Sequence, residues 1–202
     1  MGQRMGSPAL NQPLPDDETQ LIIRAQCGEH EAFARLVSRY WDKLYRWLCH
    51  LTRDGHTAED LAQETFLKAY AAVGRFRAGS NFRAWLFRIA HNNFVNQRRV
   101  TKNTRQTLSA EWTECEARPE DILISKETIA HLAEVVSRLP TDFRAALLLR
   151  VEGDLSFKEI AQIMNTTEQT ARWRVFKARQ KLMLTLEPDL LPHERESHRK
   201  SK

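Results

Sequence analysis

The sequence contains few cysteines and no long apolar run, and both absences restrict the class of protein. Its three cysteines, Cys27, Cys49 and Cys115, are odd in number and widely spaced, a pattern that favours reduced thiols in a cytoplasm over a disulfide framework. The first fifteen residues lack the apolar segment of a signal peptide, and no apolar run approaches a membrane span. We therefore expect a cytoplasmic protein that does not insert into a membrane directly.

Patterns typical of catalytic and cofactor sites are also missing. The sequence has no P-loop, no glycine-rich nucleotide loop, no nucleophile elbow and no clustered set of His, Asp and Glu. Cys27 and His30 have the spacing of half a zinc site, but no second half matches it. We expect no catalytic residue, no metal and no cofactor, and therefore no enzyme.

Apolar residues and their spacing predict an all-α protein. Hydrophobic residues make up 42% of the 202 residues, enough for folded cores, whereas seven Gly and seven Pro are too few for a low-complexity chain. Apolar positions recur at helical spacing, and no alternating run typical of a strand extends beyond a few residues. We expect two small helical domains joined by a flexible acidic linker. The predicted limits are 1–15 for a disordered tail, 16–102 and 122–187 for the two domains, 103–121 for the linker and 188–202 for a polar tail.

Charge is distributed unevenly along the chain. The net charge is only +5, but residues 68–110 hold nine Lys and Arg and no acidic residue, whereas residues 111–121 hold five acidic residues and Arg118 alone. A second basic segment follows near the C-terminus. Two basic surfaces separated by an acidic connector favour two contacts with a nucleic acid. The alternative is that the charged residues only keep the protein soluble. In that case positive and negative residues would be interspersed more evenly along the chain.

The segment from Ser156 to Leu182 carries two helix starts in quick succession. Ser156 with Glu159, and Thr166 with Gln169, have the spacing of capping boxes, and Asn165 between them can take the left-handed conformation that ends a helix. The second helix has a small apolar stripe on one face and basic, amide and aromatic side chains on the other. This arrangement is typical of a helix-turn-helix that enters the major groove. An ordinary helical hairpin with a solvated basic face remains the alternative.

Two further helices carry candidate surfaces. A helix predicted over residues 57–73 has Ala62, Phe66, Ala69 and Val73 on its core face, and its far side is a protein-docking surface or an ordinary solvated face. A helix predicted from Phe82 to about Arg99 has an aromatic, arginine and amide stripe, formed by Trp85, Arg88, Asn92, Asn96 and Arg99. These groups suit phosphate, base edges and unpaired bases, although Trp85 is also suited to a core. The preceding loop adds basic charge at the helix N-terminus, through Arg75, Phe76, Arg77 and Asn81.

Three segments together resemble one protein family. AEDLAQETFLKAYAAVGRF, FRAWLFRIAHNNFVNQRR and LPTDFRAALLLRVEGDLSFKEIAQIMNTTEQTARWRVFKARQKL occur in the order and spacing of the extracytoplasmic-function (ECF) sigma factors of bacterial RNA polymerase. The resemblance extends from about Asp17 to Leu186. It implies a sigma-2 domain that binds core polymerase and the −10 element, a linker, and a sigma-4 domain that binds the −35 element.

The resemblance also assigns roles to particular residues. It implies that Asp60, Gln63 and Glu64 dock on the β′ clamp helices, that residues 74–82 take up a flipped −10 base, and that Asn92 contacts the same element. On the −35 helix it implies Arg172, Trp173, Phe176 and Lys177, and we add Thr167, Gln169 and Arg174 as further candidates for −35 binding. Ala171 and Trp173 depart from the family pattern, and Trp173 bears on the −35 preference.

The family resemblance implies three partners: core RNA polymerase through the β′ clamp helices and the β flap, promoter DNA, and an anti-sigma factor that can hold the protein at a membrane. The alternative is a stand-alone helix-turn-helix regulator. It explains the C-terminal domain but leaves the stripe at Trp85–Arg99 and the Gln63–Glu64 patch without a purpose.

Overall fold

The computed structural model describes residues 17–103 and 126–190, and every structural statement below refers to these two ranges. They form helices and one short 3₁₀ turn and contain no strand, which confirms the all-α prediction. The predicted N-terminal tail, most of the predicted linker and C-terminal tail, and the helix start expected near Glu120 lie outside the described residues, whereas the last helix extends to Leu190, three residues into the predicted C-terminal tail. The helices are α1 Asp17–Gln26, α2 His30–Thr52, α3 Gly55–Ala72, α4 Phe82–Asn103, α5 Lys126–Ser137, α6 Thr141–Val151, α7 Phe157–Ile163 and α8 Glu168–Leu190, with the 3₁₀ turn at Val73–Arg75.

The first four helices form one domain around a core rich in aromatic residues. The long helix α2 supplies Leu36, Leu44 and Trp47 at helical spacing, and all three are completely buried. Trp47 packs edge-on against Phe87 of α4, with the ring centroids 5.4 Å apart. The predicted core face is confirmed, since Ala62, Phe66 and Ala69 of α3 and Val73 of the 3₁₀ turn that follows are all buried. This packing leaves the opposite face of α3 on the surface.

The start of α3 differs from the prediction. Thr57 was expected to begin this helix, but the helix begins at Gly55 and its cap is Asp54, whose Oδ1 accepts a hydrogen bond from the amide of His56 at 3.1 Å. The Thr57 hydroxyl instead donates to Asp54 Oδ2 at 2.6 Å. Arg53, with φ at 63°, ends α2 in the left-handed conformation. The two helices are therefore separated by a tight turn rather than by a longer loop.

Helices α5 to α8 form the second domain around Leu149, Leu155 and Ile160, which are completely buried. The bend between α6 and α7 requires a glycine: a Cβ at Gly153 would lie 2.5 Å from the carbonyl oxygen of Leu149. Asp154 follows with φ at 48°. This bend brings α7 back against α8 and so forms the helix pair that the sequence predicts.

The two domains touch through a buried, charged contact. Arg144 of α6 is 5% exposed and donates to the carbonyl oxygens of Ser137, at 2.6 Å, and of Leu51 in the first domain, at 3.0 Å. Burial, with the nearby Arg53 and Arg98, lowers the pKa of Arg144 to about 10. A buried guanidinium bonded to carbonyl oxygens on both sides holds the domains in one relative position.

The expectation of reduced thiols is wrong for one cysteine. Cys27 is free and exposed, but Cys49 is 2% exposed within α2 and is disulfide-bonded. Cysteines that are widely spaced in the sequence can be neighbours once the chain folds, so spacing alone does not exclude a disulfide.

Candidate polymerase and nucleic-acid interfaces

The exposed face of α3 carries the predicted polymerase-binding residues together. Asp60, Gln63 and Glu64 are all exposed, because the other face of the helix is buried in the core. Beside them, Leu67 is 70% exposed, an unusual fraction for a large apolar side chain. Carboxylate and amide groups around one exposed leucine form a surface suited to docking a protein.

This surface is joined to α4 by a side-chain network. Lys68 donates to the Glu64 carboxylate and to Oδ1 of Asn93, each at 2.6 Å. Asn93, which is 4% exposed, donates in turn to the hydroxyl of Thr65 at 3.1 Å. Sequence reasoning missed Asn93, since nothing in its spacing separates it from the neighbouring Asn92. The network fixes the orientation of α4 relative to the exposed face of α3.

The predicted −10 stripe lies along one face of α4. Arg88, Asn92, Asn96 and Arg99 are exposed, while Trp85 is half-buried. The Trp85 ring packs against the rings of Phe76 and Phe82, with centroids 5.0 and 5.4 Å away. The stripe therefore has a fixed aromatic end and four free polar side chains, as binding to phosphates and base edges requires.

The loop before α4 is held in place by hydrogen bonds from α1. Gln26 of α1 donates from its amide to the carbonyl oxygens of Val73, at 3.0 Å, and Phe76, at 2.6 Å. Phe76 is 8% exposed, so its ring belongs to the core and the backbone around it is what the loop presents. Arg75 and Arg77 remain exposed on either side. Sequence reasoning also missed Gln26, which lies about 50 residues from the loop it holds.

Asn81 has two functions at the start of α4. Its Oδ1 accepts from the amide of Ala84 at 3.1 Å and so caps the helix. Its Nδ2 donates to the carboxylate of Glu159 on α7 at 2.6 Å, across the contact between the domains. Nearby, Arg83 donates to the carbonyl oxygen of Gly153 at 3.3 Å and lies 3.5 Å from the Asp154 carboxylate. The loop before α4, which is predicted to bind the −10 element, is therefore in direct contact with the helix-turn-helix.

The helix-turn-helix is built as the sequence predicts, with one difference of register. Ser156 and Glu159 form both hydrogen bonds of a capping box, and Asn165 has φ at 49°. The second helix is capped by Thr167, which accepts from the amide of Thr170 at 3.1 Å, rather than by the expected Thr166. The apolar stripe of α8 is buried, at Ala171, Val175 and Ala178. These contacts fix the direction of the side chains on the opposite face.

The exposed face of α8 presents most of the predicted −35 residues. Trp173 and Phe176 are 51% and 61% exposed, and Thr167, Gln169 and Arg172 are exposed with them, while Lys177 is half-buried. Trp173 packs on Phe143 of α6 at 5.4 Å between ring centroids, not on α7. Arg174 lies on a different side: its guanidinium is bound to Asp142 of α6 at 3.0 Å.

The described residues contain no group of His, Cys, Asp and Glu that could hold a metal ion. Within the same ranges, no helix is both long and apolar enough to span a membrane. A helix-turn-helix in one domain and a basic, amide-bearing stripe in the other are features of a two-domain, helical DNA-binding protein.

Comparison with known proteins identifies the family. Residues 36–104 match Sigma-70 region 2, and residues 130–182 match Sigma-70, region 4. The RNA polymerase sigma-H factor of Pseudomonas aeruginosa is 35% identical over 184 residues, covering 86% of this chain and 95% of the relative. The ECF RNA polymerase sigma-E factor of Escherichia coli K12 is 34% identical over 179 residues, covering 83% and 93%.

Solved structures agree with these relatives. The sigma factor RpoE of Bartonella quintana, solved in complex with the anti-sigma factor NepR, matches with a TM-score of 0.66 and 29% identity, over 78% of this chain and 98% of that one. CnrH, solved with the cytosolic domain of CnrY, matches with a TM-score of 0.65 and 25% identity, over 86% and 99%. The chain belongs to the ECF family of RNA polymerase sigma factors. It acts in transcription initiation as a DNA-binding subunit of RNA polymerase, in a family not known for catalysis.

Proposed function

We propose that each of the three exposed faces binds a different partner of a sigma factor: core polymerase, the −10 element or the −35 element. The α3 face, with Asp60, Gln63 and Glu64, binds the β′ clamp helices of core polymerase, and the second domain meets the β flap. The α4 stripe and its loop bind the −10 element, and the exposed face of α8 binds the −35 element. The observation that carries this proposal is that each face is backed by a buried apolar stripe, so its polar side chains are directed outwards to where a partner can reach them.

The −10 face is suited to single-stranded DNA. Asn92, Asn96 and the two arginines Arg88 and Arg99 are exposed in a row, and the loop at Arg75–Asn81 lies at one end of it. Amide groups can pair with base edges, whereas the guanidinium groups bind phosphates. Capture of one unstacked base in the loop would offset the unstacking cost of a few kcal/mol and so favour the melted promoter.

A sigma-2 domain over 16–102 and a sigma-4 domain over 122–187, joined by a linker at 103–121, complete the proposal. An anti-sigma factor is a further partner, because the sigma factor RpoE was solved in complex with one. Binding of core polymerase and binding of promoter DNA take place in the cytoplasm, where both partners are found. An anti-sigma factor can hold the protein at the membrane.

Transcription with purified core polymerase tests the proposal. The chain is added to core enzyme and a library of promoter fragments, and the transcribed fragments are sequenced. We expect transcripts only from fragments that share two short elements at a fixed spacing. A stand-alone regulator would instead bind DNA without core polymerase and would yield no transcript from core enzyme.

A further inference from the structure

The arginine at the front of α8 is already held in position before any DNA is bound. Arg172 has its guanidinium carbon 4.9 Å from the ring centroid of Phe157, the first residue of α7. Its Nη2 donates to the carboxylate of Glu168, one turn earlier in α8, at 3.0 Å. A cation within about 6 Å of an aromatic ring is attracted to the ring face. Two different groups therefore fix this otherwise flexible side chain.

The Phe157 ring is itself rigidly placed. Ser156 and Glu159 form the capping box that fixes the first turn of α7, and Phe157 lies between them in the sequence. A second guanidinium, that of Arg150, lies 5.4 Å from the same ring and donates to the carbonyl oxygen of Leu155 at 2.8 Å. The ring therefore has a position determined by the helix-turn-helix fold rather than by the DNA.

We propose that Phe157 and Glu168 are positioning residues that direct Arg172 to a base edge in the −35 element. This inference rests on the proposed role of α8 in −35 binding. An arginine stacked on an aromatic ring keeps its N–H groups free at the edge of the plane, where they can form paired bonds to guanine. The ordering of the side chain takes place on folding, so it does not reduce the affinity for DNA.

Glu168 makes Arg172 less able to bind the phosphates of the DNA backbone and so favours its binding to a base. A carboxylate beside the guanidinium repels a phosphate oxygen, which is charged, but not the guanine edge, which is uncharged. Without Glu168, Arg172 is free to bind the nearest phosphate, a contact that raises affinity for every sequence alike. The pair itself is exposed and adds little to stability, so its effect is on the direction of Arg172.

The test uses holoenzyme with duplex promoter fragments randomised through the −35 element, and it compares the full chain with Arg172→Ala, Phe157→Leu and Phe157→Tyr. We expect Arg172→Ala to abolish the preference at one base pair and Phe157→Leu to weaken that preference about two- to tenfold. Phe157→Tyr keeps the ring and should keep the preference. When Arg172 has already been replaced by Ala, the additional change Phe157→Leu should not alter the −35 base preference any further.

A purely structural role for Phe157 gives a different result: Phe157→Leu would then weaken all promoters equally, and by the same factor with or without Arg172. That result would overturn the inference. If Arg172→Ala leaves the −35 preference unchanged, the proposed role of Arg172 itself is wrong. A preference that is lost in Arg172→Ala but intact in Phe157→Leu would overturn only the positioning role.

Glu168→Gln supplies a test that does not depend on Phe157. It should reduce the preference at the same base pair and steepen the dependence of log affinity on log salt by up to about one, the change expected for one added phosphate contact. Glu134→Gln is the matched control, because Glu134 of α5 forms a similar exposed pair with Arg138, the residue that follows α5, at 2.6 Å. An unchanged preference and slope in Glu168→Gln would remove Glu168 from the proposal.

Discussion

The Glu152 carboxylate lies 3.3 Å from Nε2 of His50, and this pair bridges the second domain and the first. Burial raises the pKa of Glu152 to about 7, against a smaller lowering by Arg46. Burial also lowers the pKa of His50, and Arg46 and Arg144 add to that effect. Both groups are therefore driven towards their neutral forms by the same contact between domains.

The first prediction is that Glu152 makes the free energy of unfolding fall as pH rises. Above pH 4.5 the unfolded chain has released this proton, whereas the folded chain keeps it until about pH 7. Glu152→Gln removes this effect, so the variant should gain up to about 3 kcal/mol relative to the natural chain between pH 5 and pH 8. Chemical denaturation across this range measures the difference. Glu31→Gln, with a side chain that is 70% exposed, is the control and should show none.

The second prediction concerns polymerase docking. Replacing Gln63 and Glu64 together with Lys should abolish binding to core polymerase while helical content stays unchanged, because both side chains are exposed. The Glu64–Lys68 pair that is lost is also exposed and contributes little to stability. Co-elution with core polymerase is the measurement. The control carries the same charge change at the exposed positions Gln20 and Glu31, and equal binding by both variants would contradict the assignment.

The third prediction concerns promoter melting. Asn92→Ala should reduce formation of the open complex and relax the preference at one base of the −10 element, since an exposed amide that pairs with a base edge is removed. Affinity for core polymerase should not change. Permanganate footprinting reports unpaired thymines directly. Melting at the natural level, with the base preference intact, would remove Asn92 from the −10 site; Gln20→Ala provides the comparison for loss of an exposed amide elsewhere.

The fourth prediction separates reading of DNA from packing at Trp173. Its ring contacts Phe143 but is half exposed, so Trp173→Ser should cost only about 1 kcal/mol of stability. The preferred −35 sequence should change, because an aromatic that can contact a thymine methyl or a sugar is lost. Thermal denaturation and promoter selection are measured on the same variant. A large fall in melting temperature without any change of preference would show that Trp173 is structural.

Features set by neighbouring residues could be predicted from the sequence. The capping box at Ser156 and Glu159 and the left-handed Asn165 depend on contacts within one helical turn, and the structure confirms them. The predicted start of α3 was wrong because the sequence offers two cap residues, Asp54 and Thr57, three positions apart. Both side chains can accept hydrogen bonds from the amides of the first helical turn. Sequence alone does not determine which of two adjacent candidates forms the cap.

Features set by distant residues could not be predicted. Phe76 was expected on the DNA-binding loop, but its burial depends on the rings of Phe82 and Trp85. The pairing of Arg174 with Asp142 joins residues on two helices, 32 positions apart. The domain contact through Asn81 and Glu159 joins residues 78 positions apart. Hydrophobic periodicity shows which face of a helix is buried, but not which surface covers it.

The hydrogen bond between Asn81 and Glu159 also limits the length of DNA that this form of the chain can reach. The −10 and −35 elements are named for positions about 25 base pairs apart, or roughly 85 Å along a duplex. The two domains are in direct contact in this form, so they must separate to occupy both elements. The segment at 104–125, which spans at most ~75 Å when fully extended, limits how far apart they can move. The affinity for a complete promoter is therefore reduced by the fraction of chains in which the two domains remain in contact. Any partner that binds the separated form more tightly raises the affinity for the promoter.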